Sequence, residues 1–282
     1  MTAKTQKSLF QSGDRVSHTS LNRSLNHFLK SERLIALLSV ITGLLMWWII
    51  TAFQWINPLF LPSPTLVGAA FLEILRDGYK GNSLLFHISA SVYRLGIALV
   101  LSLVTAIPLG MLCGLSSRLR AVFDPWIEFY RPLPPLAYYT LLVIWLGIED
   151  SSKIALLYLA TFAPLFIAIV AGVQRIPQDR MNGARSLGAS GFQLLAYVVF
   201  PSILPDLFIG LRTAIGVAYS TLVAAEMVAA ISGIGWMVLD ASKFLRSDVI
   251  FVGIIIMGLI AVAVDAGIRW IQKTQVPWIG HE

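Results

Sequence analysis

The residues with the most chemical potential in this 282-residue chain are ionisable side chains set in apolar sequence: Glu128 and Arg131, Arg212, Glu226, and Asp265 with Arg269. A charge in hydrocarbon is costly, so each must face a partner or a polar cavity. Glu128 and Arg131 stand three apart. They either form a mutual i,i+3 pair, or they leave Arg131 beside the helix-breaking Pro132, Pro134 and Pro135, where its guanidinium and freed backbone groups line a pathway for an anion. Around Glu226, the rows Gly216, Ser220, Ala224 and Gly210, Ala214, Ala218 recur at four-residue spacing and read as close helix packing. The alternative is a polar patch formed by Ser220, Thr221 and Glu226, the carboxylate attracting an ammonium group. Arg212 precedes Glu226 by 14 residues, about 21 Å along a helix, which rules out a direct pair. Asp265 and Arg269, four apart, read as a structural pair. Tyr138, with Tyr139, Trp126 and Trp145, either lines the same path or serves the core and the interface belts.

Catalysis does not fit this inventory. Intramembrane hydrolysis needs a serine with a histidine, an aspartate pair or a metal cluster at depth, and His18, His27, His87 and His281 fall in tails or near an outer edge. No GxxxxGK[ST] loop is present to cradle a nucleotide. No catalytic residue, metal site or cofactor is expected in the chain itself. The net charge of +6 follows from positive-inside asymmetry and attraction to anionic lipid rather than from a nucleic-acid partner. Cys113, the one cysteine, has no internal disulfide partner.

These residues sit in a polytopic membrane protein. The chain is 57% hydrophobic and 13% charged, far from the roughly quarter-charged balance of soluble domains. A hydrocarbon core about 30 Å thick takes about 20 apolar helical residues. Six all-α spans are expected, at 34–55, 93–115, 124–147, 153–173, 204–230 and 248–270, within a transmembrane domain over 34–273. Residues 1–33 form a polar, disordered N-terminal tail and 274–282 a short C-terminal one. With both termini in the cytoplasm, the cations of residues 4–33, Arg118, Arg120, Arg175, Arg180, Arg185, Arg269 and Lys273 fall inside, against Arg76, Lys80, Lys153, Lys243 and Arg246 outside. The external segment 57–92 carries a helix opening at Ser63-Pro64. Its apolar residues Val67, Ala70, Phe71, Ile74 and Leu75 lie either on the bilayer or bundle, or under an external partner.

One cytoplasmic loop, 174–203, has structure of its own. Pro177 opens a short helix, Asp179 complements its positive end, Gly188 ends it in the left-handed region, and Ser190 caps a second helix from Phe192 that stops at Pro201. Met181, Ala184, Leu187 and Leu194 need a covering surface. A knob of this kind can pass a partner's rigid-body motion to the attached spans; the plainer reading is a hairpin joining spans four and five.

The loop's Asn182-Gly183-Ala184, Gly188, Val198 and Phe200-Pro201 resemble the cytoplasmic "EAA" loop of ABC importer permeases. Ordered phrases extend the likeness across about 240 residues: Pro58-Leu59-Phe60-Leu61-Pro62-Ser63-Pro64, Tyr130-Arg131-Pro132-Leu133-Pro134-Pro135-Leu136-Ala137, Val143-Ile144-Trp145-Leu146-Gly147-Ile148, Ser186-Leu187-Gly188-Ala189-Ser190 and Ser220-Thr221-Leu222-Val223-Ala224-Ala225-Glu226. The chain thus resembles the permeases of taurine, sulfonate and nitrate ABC importers. The resemblance implies a type I importer fold in a bacterial inner membrane. It also implies a second copy of the permease, two cytoplasmic ATPase subunits that hold ATP and Mg, and an external substrate-binding protein. Transport would proceed by alternating access, with a small organosulfonate, taurine first, as cargo. Residues 181 to 190, that is Met181, Asn182, Gly183, Ala184, Arg185, Ser186, Leu187, Gly188, Ala189 and Ser190, become the ATPase-docking candidates. Asn182 replaces the glutamate of the common pattern, so the grip must rest on packing and hydrogen bonds. A passive channel or membrane sensor is the rival from a different class, and association with an ATPase separates the two.

Overall fold

The structure, a computed structural model, describes residues 34–276. The N-terminal tail expected over 1–33 and all but the first residues of the C-terminal tail lie outside them. Two compact units are distinguished, residues 1–66 and 67–282. In the first, helix α1 (Leu34–Ala52) is long and apolar enough to span a membrane. The turn that follows is fastened back by the Trp47 indole N–H, which donates to the Pro62 carbonyl at 3.0 Å.

The second unit is helical throughout the described residues: α2 (Pro64–Asp77, beginning just before the unit), α3 (Leu84–Leu115), α4 (Ser117–Tyr130), α5 (Pro135–Leu146), α6 (Asp150–Gln174), α7 (Gln178–Ser186), α8 (Gly191–Leu194), α9 (Phe200–Ala229), α10 (Ile234–Lys243) and α11 (Ser247–Gln275). Helices α3, α6, α11 and the continuous run Gly191–Ala229 are each long and apolar enough to cross a bilayer. Helix α6 packs between α3 and α9. The core there is built on Phe166, Ile169, Val173, Val199 and Ile203. Of the two small-residue rows on α9, Gly210, Ala214 and Ala218 are buried, whereas Gly216 and Ser220 remain exposed in the protomer.

Three expectations change. The span expected at 124–147 is two helices, because Arg131–Pro134 breaks the run. Pro132 and Pro134 lack the N–H a helix needs and push their predecessors toward extended backbone. Helix α5 then restarts with Pro135 at its first position and, with 12 residues, reaches only about 18 Å. Secondly, the helix expected to stop at Pro201 does not stop there. A π-helical turn over Leu195–Val199, closed by the Phe200 N–H on the Leu195 carbonyl, carries the chain past Pro201 and straight into α9. The five-residue step accommodates a ring without an N–H that would end an ordinary helix. Finally, two helices outrun their expected bounds: α3, expected over 93–115, begins at Leu84 inside the segment expected to be external, and α11 continues to Gln275, into the expected tail.

On the face formed by α2, α10 and the start of α11, polar pairs fasten the elements together. The Arg246 guanidinium lies 3.1 Å from Glu73 and 2.9 Å from Asp248, and the Tyr79 hydroxyl donates to Asp240 at 2.9 Å. Burial, with that hydrogen bond, raises the Tyr79 phenol above its ordinary value, so it stays a donor. Helix α2 buries Val67, Ala70 and Ile74 and leaves Phe71 and Leu75 exposed.

Candidate functional site

The loop between α6 and α9 forms an exposed elbow on a buried foundation. Helix α7 ends in a paired hydrogen-bond motif. The Ala189 N–H reaches the Ala184 carbonyl at 3.1 Å and the Gly188 N–H reaches Arg185 at 2.9 Å, the two bonds of a Schellman closure. That closure requires Gly188 at φ +81°, in the left-handed region. Ser190 then starts α8 with a reciprocal capping box: its hydroxyl accepts from the Gln193 N–H while the Gln193 side chain accepts from the Ser190 N–H.

The ten docking candidates divide by burial. Met181 is buried in the core between α6 and α9, and Ala184 packs against the same cluster; Leu194 is also covered by the chain's own residues. The need for an outside surface at Met181 and Leu194 therefore falls away. Asn182, Gly183, Arg185, Ser186, Leu187, Gly188 and Ser190 are exposed, and Ala189 is half-buried. Leu187 is 91% exposed, and Phe192 and Tyr197 beyond it are exposed too. This is an apolar tip on a semi-polar elbow. Arg180 donates to the Ser202 hydroxyl and Arg175 pairs with Asp206 at 2.6 Å, tying the elbow's base to α9.

At the other end of α3, α6 and α9 a buried ionic node has formed. Arg94 is 2% exposed and Glu226 1%. The Arg94 guanidinium donates to Glu226 at 2.7 Å, to Asp150 at 2.7 Å and to both the carbonyl and hydroxyl of Ser232 at 2.9 Å. Glu226 also accepts from the Ser91 hydroxyl at 2.8 Å and the Gly235 N–H at 2.9 Å. The turn carrying Ser232 and Gly235 is closed by the Gly233 N–H on His87 Nδ1. Gly233 has φ +115°, and a Cβ there would collide with the Glu226 carboxylate. Lys153, also buried, donates to the Ile148 and Glu149 carbonyls.

The pathway candidates are scattered. Glu128 and Arg131 are exposed and form no ion pair with each other among the described residues. Arg131 sits at the break that ends α4, and Tyr138 is half-buried on α5. The Ser220 and Thr221 hydroxyls both donate to the Val217 carbonyl of their own helix. Glu226 is enclosed by donors and joins none of the other five candidates. Asp265 and Arg269 do pair, at 3.0 Å, and Arg212 joins them at 3.0 Å on the same carboxylate. Sequence reasoning missed Arg94 and Asp150 as partners of Glu226. The available signal was that an arginine in an apolar run requires a carboxylate at the same depth.

Comparison with known proteins agrees with this arrangement. Residues 106–280 match the family described as binding-protein-dependent transport system inner membrane component. The chain is 45% identical to the taurine transport system permease protein TauC of Escherichia coli, over 84% of this chain and 87% of that protein. It is 29% identical to SsuC of Bacillus subtilis, a protein named for aliphatic sulfonates transport, over 83% of each chain. It is 32% identical to the bicarbonate transport system permease protein CmpB of Synechococcus elongatus, over 71% of this chain and 72% of that one. Several bilayer-length helices, an exposed elbow continuous with one of them, and this breadth of similarity lead to one assignment: the chain belongs to the binding-protein-dependent transport system inner membrane components, as a permease subunit of an ABC importer.

Proposed function

We propose that this permease carries a small organosulfonate, taurine first, working as a dimer with two ATPase subunits docked at the elbow. The observation that carries the docking reading is the 91% exposed Leu187 beside Gly188, on a tip joined through α8 and the π-helical turn to α9 without a break. A displacement of such a tip passes directly into a spanning helix. The similarity to the taurine permease supports the cargo; the likeness to a protein named for aliphatic sulfonates supports a second reading, alkanesulfonates. The exposed row Gly216 and Ser220 on α9 supports close packing against a second copy. ATP and Mg belong to the ATPase, cargo arrives on an external binding protein, and the elbow and both termini face the cytoplasm, following the cation distribution.

In this reading Arg131 and Tyr138 lie beside the pathway at the α4–α5 break, where Pro134 and Pro135 leave backbone carbonyls without helical donors. Glu226 acts from a distance, by holding the α9–α10 turn. Uptake by the reconstituted complex across taurine, alkanesulfonates, nitrate and bicarbonate tests the cargo. The expected result is ATP-dependent accumulation of taurine ahead of the others. Accumulation of bicarbonate or nitrate with none of either sulfonate would overturn it.

A further inference from the structure

Arg212 on α9 and Arg269 on α11 both contact Asp265, from opposite oxygens at 3.0 Å each, and all three side chains are partly exposed. Two guanidiniums share one carboxylate, which leaves an unbalanced positive charge on the surface. Lys273, exposed and one turn beyond Arg269, adds a third cation. Depth follows from helix geometry. Arg269 lies 22 residues into α11 from Ser247, about 33 Å, so the cluster stands where a hydrocarbon core about 30 Å thick gives way to headgroups. Arg212, 17 residues before Ala229 on α9, comes to a similar level at about 26 Å.

The surface leading to the cluster is apolar. Ile255, Leu259, Val262 and Ala266 are exposed at helical spacing along α11 and run into Arg269, with Trp270 exposed beside it. An acyl-length apolar stripe ending in an aromatic ring and two guanidiniums balanced by only one carboxylate has a polarity profile complementary to that of an acidic phospholipid. We propose that Arg212 and Arg269, held in position by Asp265, seat the phosphodiester of an acidic phospholipid. The leaflet is the cytoplasmic one if the topology proposed above holds; the seat itself does not depend on it. A sulfonate offers the same tetrahedral monoanion chemistry, but it has no use for the stripe or Trp270, so the lipid is the occupant.

The test is native mass spectrometry of the full-length permease–ATPase complex titrated with phosphatidylglycerol and, separately, phosphatidylcholine. The wild type should retain phosphatidylglycerol preferentially. Arg212→Gln/Arg269→Gln should weaken that retention about thirtyfold, the effect of two interfacial cations. Arg118→Gln/Arg120→Gln removes the same charge at the start of α4 and should leave it intact. Asp265→Asn should strengthen retention several-fold, because the amide keeps an oxygen to hold the arginines while the competing charge is removed; it also carries the test alone if the double variant does not fold. Unchanged retention in Arg212→Gln/Arg269→Gln, equal loss in Arg118→Gln/Arg120→Gln, weakened retention in Asp265→Asn, or displacement of phosphatidylglycerol by millimolar taurine would each overturn the seat.

Discussion

Arg94 and Glu226 form the most deeply buried ion pair among the described residues. Both are buried, and each satisfies the other through a 2.7 Å charge-assisted contact. Deleting one partner of a buried pair leaves an uncompensated charge and costs about 3–5 kcal/mol, whereas replacing both with apolar groups of similar volume is far milder. Arg94→Met and Glu226→Leu should therefore each lower thermal stability sharply, and the double variant should recover most of the loss relative to the worse single one. Additive losses in the double variant would mean the pair contributes nothing as a pair. The prediction also locates Glu226: a carboxylate enclosed by Arg94, Ser91 and the Gly235 N–H positions the α9–α10 turn. None of this was readable from the residues near Glu226, because Arg94 lies 132 positions away and only the packing of α3 on α9 brings the two together. The Asp265–Arg269 pair was readable, because helical geometry alone places residues four apart side by side.

The elbow shows what local sequence specifies at the level of an element. Gly188, Ser190 and Gln193 determine their own turn through backbone and cap bonds, so its shape could be read without knowing what surrounds it. The continuity past Pro201 could not, since a π-helical turn is a compromise struck between the proline and the core that Val199 and Ile203 enter. Burial divides the elbow's residues by role. Met181→Ala should act on the fold, with a loss of about 2–5 kcal/mol measured by thermal denaturation of the isolated permease. Gly188→Ala should cost about 1–2 kcal/mol through its left-handed φ and misdirect the tip. If Met181→Ala leaves stability unchanged while Gly188→Ala unfolds the protein, the assignment of foundation and tip is reversed.

Across the whole molecule, the topology proposed from the cation distribution decides which end meets the ATPase. The elbow and the cluster at Asp265 belong to one membrane face; the Arg94–Glu226 node belongs to the other, since α3, α6 and α9 run between them. A cysteine placed at Ser186 should be labelled by a membrane-impermeant maleimide in inside-out vesicles and be protected in right-side-out ones, provided Cys113, buried in α3, stays silent. The reverse pattern would invert the topology. Composition made the membrane class legible early, the ordered phrases shared with ABC importer permeases pointed to the fold, and apolar run length found most spans. The α4–α5 break was visible in its prolines but not its consequence, a helix of 12 residues too short to cross alone.

In the function proposed above, the Leu187–Gly188 elbow couples ATP hydrolysis to import. The direct measurement is taurine-stimulated ATP hydrolysis by the permease reconstituted with its ATPase and binding protein, comparing wild type with Leu187→Asp. Because Leu187 is 91% exposed, the substitution should leave the permease folded and its thermal stability unchanged, while stimulation falls at least tenfold and the ATPase no longer co-purifies. Full stimulation in Leu187→Asp, with the ATPase still bound, would contradict the account.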